Sequence, residues 1–254
     1  MPFWTIVYAL LFYVATALLV GGLAYKIRQY AKTPAPLKIP TTPAPITYTG
    51  VALRMVREVT LFESLFKSNK WTWLFGWIFH LSLLLAFIRH LRYVLTPDNV
   101  LWPIINLELV QTAGKYAGYA MLLGLAGLLA RRFVVDRVRY ISSPSDYLML
   151  LLLLTIAGSG LLMTFVSHVD IIALKGFVLG LLLFEWQLLP ASPFLLIHLT
   201  LVALLMIIFP FSKLLHAPGV FFSPTRNQRD NPREQRHVAG WSAQIDNTKS
   251  ADAG

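Results

Sequence analysis

Five separate stretches of this chain are apolar over about 20 residues, the length an α-helix needs to cross the hydrocarbon core of a bilayer. They run from Phe3 to Tyr25, Trp71 to about Leu95, Ala113 to Ala130, Tyr147 to about Ser167, and Phe194 to about Phe211. Inside lipid every backbone polar group must be satisfied within its own segment, so each stretch is expected to be a helix. The predicted fold is an all-α membrane protein, a five-transmembrane-helix bundle. Only 13% of the 254 residues are charged, against roughly 25% in soluble domains, which excludes a soluble globular fold.

An odd number of spans puts the two termini on opposite sides. Of the 22 Lys and Arg residues, all but Arg89, Arg92, Lys115 and Lys175 fall on the side that holds the C-terminus. Those four are balanced by Asp98, Glu108, Asp170 and Glu185, so the whole net charge of +10 sits on one face. By the positive-inside rule that face is cytoplasmic and the N-terminus is outside, in the periplasm. The basic excess is therefore topological and implies no nucleic acid partner. The first stretch reads as a retained helix and not a secretory signal, because no cation precedes it and its apolar run exceeds a signal core of about 7 to 15 residues. Ile171 to Leu189 is apolar too, but it carries Lys175 and Glu185, and a sixth crossing would move the basic tail outside. A re-entrant or interface-lying helix is expected there. Trp71, Trp73 and Trp77 near one interface and Trp102 and Trp186 near the other read as aromatic belts.

Between the first two spans, Pro34, Pro36, Pro40, Pro43 and Pro45 favour an extended linker. From Gly50 to Lys70 the apolar residues Val51, Met55, Val59, Phe62 and Phe66 recur at helical steps. This reads as an amphipathic helix lying on the cytoplasmic interface or docking a partner. The last roughly 30 residues are too polar for a core of their own.

Six histidines occur and cysteine is absent, which removes disulfides, thiolates, iron–sulfur ligation and covalent haem attachment. His237 lies in the polar tail and His168 at the end of the fourth span beside Asp170; both read as solvated or interfacial. His80 and His90 lie in the second span, and His198 and His216 in and just beyond the fifth, where ionisable groups are functional candidates by default. At 1.5 Å per residue His90 is about 15 Å further along the helix than His80. The antiparallel sense of the two spans then matches His90 with His198 near the outer face and His80 with His216 near the inner one. Two facing imidazoles can supply both axial ligands of a haem iron, so two stacked haems b are expected. His198 and His216 are about 27 Å apart in a straight helix, a mismatch that Pro210 repairs if it bends or ends the helix. Arg89 and Arg92 beside His90, and Lys213 near His216, are candidate partners of the haem propionates. The predicted organisation is a first transmembrane helix at 1–25, a cytoplasmic linker and amphipathic helix at 26–70, a four-helix dihaem core at 71–218, and a polar cytoplasmic tail at 219–254. The glycines of the third and fourth spans, including Gly158-Ser159-Gly160, read as packing features.

The stretch W-L-F-G-W-I-F-H with nine residues to the next His (Trp73 to His90), and H with seventeen residues to the next His (His198 to His216, with P-F-S-K-L-L-H), resemble the cytochrome b family that includes the gamma subunit of respiratory nitrate reductase. The resemblance implies two bis-His haems b with the same pairing as the depth argument. Within that family R-H-L-R-Y around His90, the extended cytoplasmic loop and R-N-Q-R-D-N-P-R (Arg226 to Arg233) look closest to the M subunit of the Dsr complex of sulfite reduction. That likeness implies quinone exchange, with menaquinone the expected quinone, a cytoplasmic iron–sulfur subunit of the DsrK kind, further J, O and P subunits, and a link through DsrC to sulfur metabolism.

The expected function is electron transfer across the cytoplasmic membrane between quinone and a cytoplasmic iron–sulfur partner, as an electron-transfer subunit. A nitrate reductase-type quinol-oxidising gamma subunit and a haemless membrane anchor are the alternatives. A quinone site needs a proton-handling group, for which Lys115 is the first candidate, with Glu108 and His168 behind it. A transporter would show mid-span carboxylates or an internal repeat, and the sequence has neither.

Overall fold

The computed structural model describes residues 2–33 and 40–230. Pro34 and Pro36 of the linker, His237 and the tail beyond 230 lie outside the described residues. Every regular element among the described residues is helical. In chain order these are α1 (Phe3–Lys32), α2 (Tyr48–Leu61), α3 (Glu63–Ser68), α4 (Lys70–His90), α5 (Trp102–Ile105), α6 (Glu108–Val134), α7 (Asp136–Ile141), α8 (Pro144–Phe165), α9 (Ile171–Leu183), α10 (Pro193–Ile208) and α11 (His216–Gly219).

Five helices are long and apolar enough to cross a membrane: α1, α4 with the 3-10 turn that follows it, α6, α8, and α10 with its own 3-10 turn. They are the five spans expected from the sequence, with α1 and α6 longer by a turn or more. Helix starts are capped by sequence-local chemistry. Asn69 Oδ1 accepts from the Thr72 nitrogen at 2.9 Å to start α4. Ser143 and Asp146 form a reciprocal capping box at α8, behind Pro144 at the first helical position. The apolar segment after α8 is a separate helix, α9, of 13 residues, which is too short to span. Asp170 starts it by accepting from the Ile172 and Ala173 nitrogens.

The chain divides into two compact units, Met1–Gly22 with Ser64–Ser212, and Leu23–Glu63 with Lys213–Gly254. In the first, α4 packs on α6, α6 on α8, and α8 on α10. Glycines set the spacing. A Cβ on Gly124 of α6 would stand 2.8 Å from both the Phe75 carbonyl oxygen and the Phe79 nitrogen of α4. A Cβ on Gly127 would overlap the Phe75 ring. Helix approach in lipid rests on such small residues, because there is no hydrophobic drive between helices there. The beginning of α1 is held by hydroxyls: Tyr8 donates to the Leu196 carbonyl at 2.9 Å, Tyr13 donates to the Leu181 carbonyl at 2.9 Å, and Thr5 accepts from the Leu189 nitrogen at 3.2 Å. Lys175 of α9 donates to the Leu95 carbonyl at 2.8 Å with its ammonium 4.5 Å from the Trp102 ring centroid, which ties the two loops at that end together.

In the second unit α2 is capped by Thr47, whose side chain accepts from the Gly50 nitrogen. The helix ends at Phe62, which adopts φ 52° and ψ 46°, and α3 begins afresh at Glu63. The single stripe expected from Val51 to Phe66 is therefore broken. Its inward face holds Val51 and Arg54, with Met55 and Glu58 half-buried, while Val59 is turned outward with Leu53 and Val56. The polar pair belongs inside because each has a remote partner. Arg54 donates to the Thr41 carbonyl at 3.0 Å, and Arg226 donates to Glu58 at 2.9 Å. Two backbone bonds close the unit, Thr41 nitrogen to Thr225 oxygen at 2.9 Å and Asp230 nitrogen to Pro45 oxygen at 2.8 Å.

Candidate functional site

His80 and His90 lie on α4, His198 on α10, and His216 begins α11. The sequence expected Pro210 to interrupt the fifth span ahead of His216. The α-helix gives way at Ile208 to a 3-10 turn over Phe209–Phe211, and Ser212 is extended at φ −106° and ψ 172°. The helix that carries His198 thus ends before His216.

The four imidazoles share one feature. His80 Nδ1 lies 2.7 Å from the Gly76 carbonyl, His90 Nδ1 2.6 Å from the Ala86 carbonyl, and His216 Nδ1 2.9 Å from the Lys213 carbonyl. A carbonyl only accepts, so Nδ1 carries the proton in each. His198 Nδ1 lies 2.9 Å from Ser159 Oγ on α8, and that hydroxyl is within donating distance of the Ile156 carbonyl at 2.9 Å. Where Nδ1 holds the proton of an uncharged ring, Nε2 bears the in-plane lone pair. That is the nitrogen a haem iron takes when the other ring nitrogen is hydrogen-bonded.

His90 is the last residue of α4 and His198 lies in the second turn of α10, at the same end of the unit. Their helices are connected through α6 and α8, and no extensive contact joins α4 directly to α10 among the described residues. Beside them Arg89 has its Nε buried with no hydrogen-bond partner among the described residues. An orphaned buried donor beside a pair of Nε2 lone pairs fits a haem with an acidic propionate. Arg92 is differently engaged, donating to Gln111 Oε1 at 3.1 Å with its guanidinium 5.3 Å from the Tyr93 ring. Lys213 lies in the 3-10 turn before His216 and its carbonyl is the His216 acceptor.

Lys115 is exposed on α6, with its ammonium 5.4 Å from the Phe165 ring and 5.9 Å from Tyr116. Its neighbour Gly114 packs on Arg89, so Lys115 is at the level of His90. Glu108 is exposed at the start of α6 and His168 is exposed in the loop after α8. Sequence reasoning missed Ser159. It took Gly158-Ser159-Gly160 as packing alone, although a hydroxyl in an apolar span is itself a signal of a polar partner.

Five helices apolar and long enough to cross a membrane, two of them carrying histidines, define a multi-pass membrane protein. The chain belongs to the nitrate reductase gamma subunit family, whose model matches residues 52–232. It is similar to the Hdr-like menaquinol oxidoreductase cytochrome b-like subunit of Archaeoglobus fulgidus, 36% identical over 90% of this chain and 81% of that protein. The subunit of the same name in Archaeoglobus profundus is 34% identical over 90% of this chain and 80% of its own length. The respiratory nitrate reductase 1 gamma chain of Escherichia coli is 32% identical over 55% of this chain and 68% of its own length.

Proposed function

We propose that this chain is the cytochrome b subunit of a quinone-linked oxidoreductase in the cytoplasmic membrane, passing electrons between menaquinone and a cytoplasmic iron–sulfur subunit. Two haems b are held by His90 with His198 on the outer side and by His80 with His216 on the inner side, within a core of residues 71–218. The N-terminus is outside and the C-terminus cytoplasmic. The observation that carries the reading is the Nδ1 contact of all four histidines, to a backbone carbonyl in His80, His90 and His216 and to the Ser159 hydroxyl in His198. Support for the inner pair comes from the depth of His80 and His216 along the sequence. Support for the quinone comes from the two Archaeoglobus relatives, which are named as menaquinol oxidoreductase subunits.

Bound haem supplies a one-electron couple between ferric and ferrous iron. The protein supplies the rest. The imidazoles present Nε2, and Arg89 offers positive charge and a buried donor to a propionate, with Arg92 and Lys213 as further cations. The apolar faces of the spans keep water from the ligands. Quinol oxidation releases protons as well as electrons, and Lys115 at the level of His90 is the group assigned to that exchange.

The Hdr-like relatives favour a partner of the heterodisulfide reductase kind, the class to which DsrK belongs. Membership of a Dsr complex, with J, O and P subunits and DsrC, is the finer form of the same proposal. It rests on the R-H-L-R-Y and Arg226 to Arg233 likeness.

A pyridine haemochrome spectrum of the purified chain, with haem counted per polypeptide, tests the reading. Two haems b are expected, one lost in a His90→Ala or His198→Ala variant and the other in His80→Ala or His216→Ala. A chain without haem when made with its partners and ample haem supply overturns it and leaves a membrane anchor. Unchanged quinol oxidation in Lys115→Ala removes that residue from the site.

A further inference from the structure

His198 differs from the other three histidines in what holds it. His80, His90 and His216 take their Nδ1 acceptor from a backbone carbonyl three or four residues earlier in their own segment. His198 Nδ1 lies 2.9 Å from the hydroxyl of Ser159, a side chain on a neighbouring helix, with the Ile156 carbonyl of that helix also within hydrogen-bond reach of the imidazole. Ser159 is 7% exposed, and it completes a relay from the imidazole N–H to the hydroxyl to the Ile156 carbonyl. A serine inside a helix commonly bonds back to a carbonyl one turn earlier. With Nε2 given to iron in the proposed function, Nδ1 keeps the proton, and the Ser159 oxygen is then its acceptor.

The glycine that follows completes the seat. A Cβ on Gly160 would meet His198 Cε1 at 3.5 Å, which is ordinary contact distance, so the ring already lies against the helix at that point. On the other side of Ser159, Gly158 faces open space within 4 Å. The imidazole is thus held by one hydrogen bond and one backbone face.

We infer that Ser159 is a positioning residue for His198, fixing its tautomer and ring plane and thereby tuning the outer haem of the proposed function, on which this inference rests. An acceptor on Nδ1–H makes the imidazole a more basic ligand, and a more basic ligand favours ferric over ferrous iron. Removing the acceptor therefore favours reduction of that haem. The Ile156 carbonyl is present whatever side chain its residue carries, so Ser159 is the part of the His198 seat that a substitution can remove.

The test compares the wild type, Ser159→Ala and Ser159→Thr in the assembled complex, by redox titration of each haem and by the low-spin EPR signal, which reports ligand ring orientation. In Ser159→Ala the reduction equilibrium of the outer haem is expected to shift about tenfold towards the reduced form, about 59 mV for one electron. Its EPR signal moves, the inner haem keeps both properties, and Ser159→Thr, which restores the hydroxyl, returns the outer haem to wild-type behaviour. If Ser159→Ala loses the outer haem altogether, restoration by Ser159→Thr supports the assignment equally. An unchanged outer haem in Ser159→Ala overturns it. Equal disturbance of both haems in the Ala and Thr variants also overturns it, because that is the signature of packing. A wild-type complex with no outer haem defeats the proposed function itself, whereas an unresponsive outer haem defeats only the role of Ser159.

Discussion

Arg89 on α4 lies across Gly114 on α6: a Cβ at Gly114 would stand 2.8 Å from Arg89 Cβ and 2.9 Å from its Cδ, while the Arg89 Nε is buried with no hydrogen-bond partner among the described residues. The glycine gives the stem its room, and the stem carries a positive charge to the level of His90. A cation there favours the reduced haem, which carries one positive charge less. Arg89→Gln is therefore expected to shift reduction of the outer haem against the reduced form by about tenfold, about 59 mV in a redox titration. Arg92→Gln is expected to do less, because Arg92 already donates to Gln111.

The closest approach of α4 and α6 gives a prediction about stability. A methyl group on Gly124 meets two backbone atoms at 2.8 Å, and backbone in the middle of a packed helix cannot turn aside. Gly124→Ala is expected to lower stability by about 1–3 kcal/mol or to abolish assembly, read as thermal unfolding in detergent. Gly21→Ala is the control. Nothing lies within 4 Å of its Cβ, so it is expected to be neutral or stabilising by up to about 1 kcal/mol.

Five spans, their approximate ends and the histidine spacing were legible because lipid imposes a long unbroken apolar run, and few other structures need one. The break at Phe62 was not, since phenylalanine has no preference for positive φ and the apolar rhythm continues through it. Nor was the inward face of α2. Glu58 is matched by Arg226, 168 residues away, and no periodicity reveals a partner at that separation. Ser159 stood in view but without a direction, for the sequence gives no sign of which side chain on α10 faces it.

The Glu58–Arg226 pair makes its own prediction. The two side chains are 11% and 29% exposed, so the pair is shielded well beyond an ordinary surface bridge. Glu58→Gln is expected to speed amide exchange over both α2 and residues 213–230, measured by hydrogen exchange. The double variant Glu58→Arg with Arg226→Glu is expected to recover part of the protection.

Orientation can be tested with thiols, because the chain has no cysteine and a single introduced one is unambiguous. Val100 and Tyr140 are 86% and 91% exposed, in the connections on either side of α6. Val100→Cys is expected to react with an impermeant maleimide from outside intact cells, and Tyr140→Cys only in inverted vesicles. The reverse pattern would turn the proposed topology over.

The carbonyls of Gly76, Ala86 and Lys213 have a consequence for how the protein matures. Each is a fixed part of the chain, so three of the imidazoles hold the proton on Nδ1 as soon as their segments fold. A haem of the proposed kind would meet those rings with Nε2 already presented and wait for no proton to be moved from one nitrogen to the other. Loading is then a matter of access to the rings.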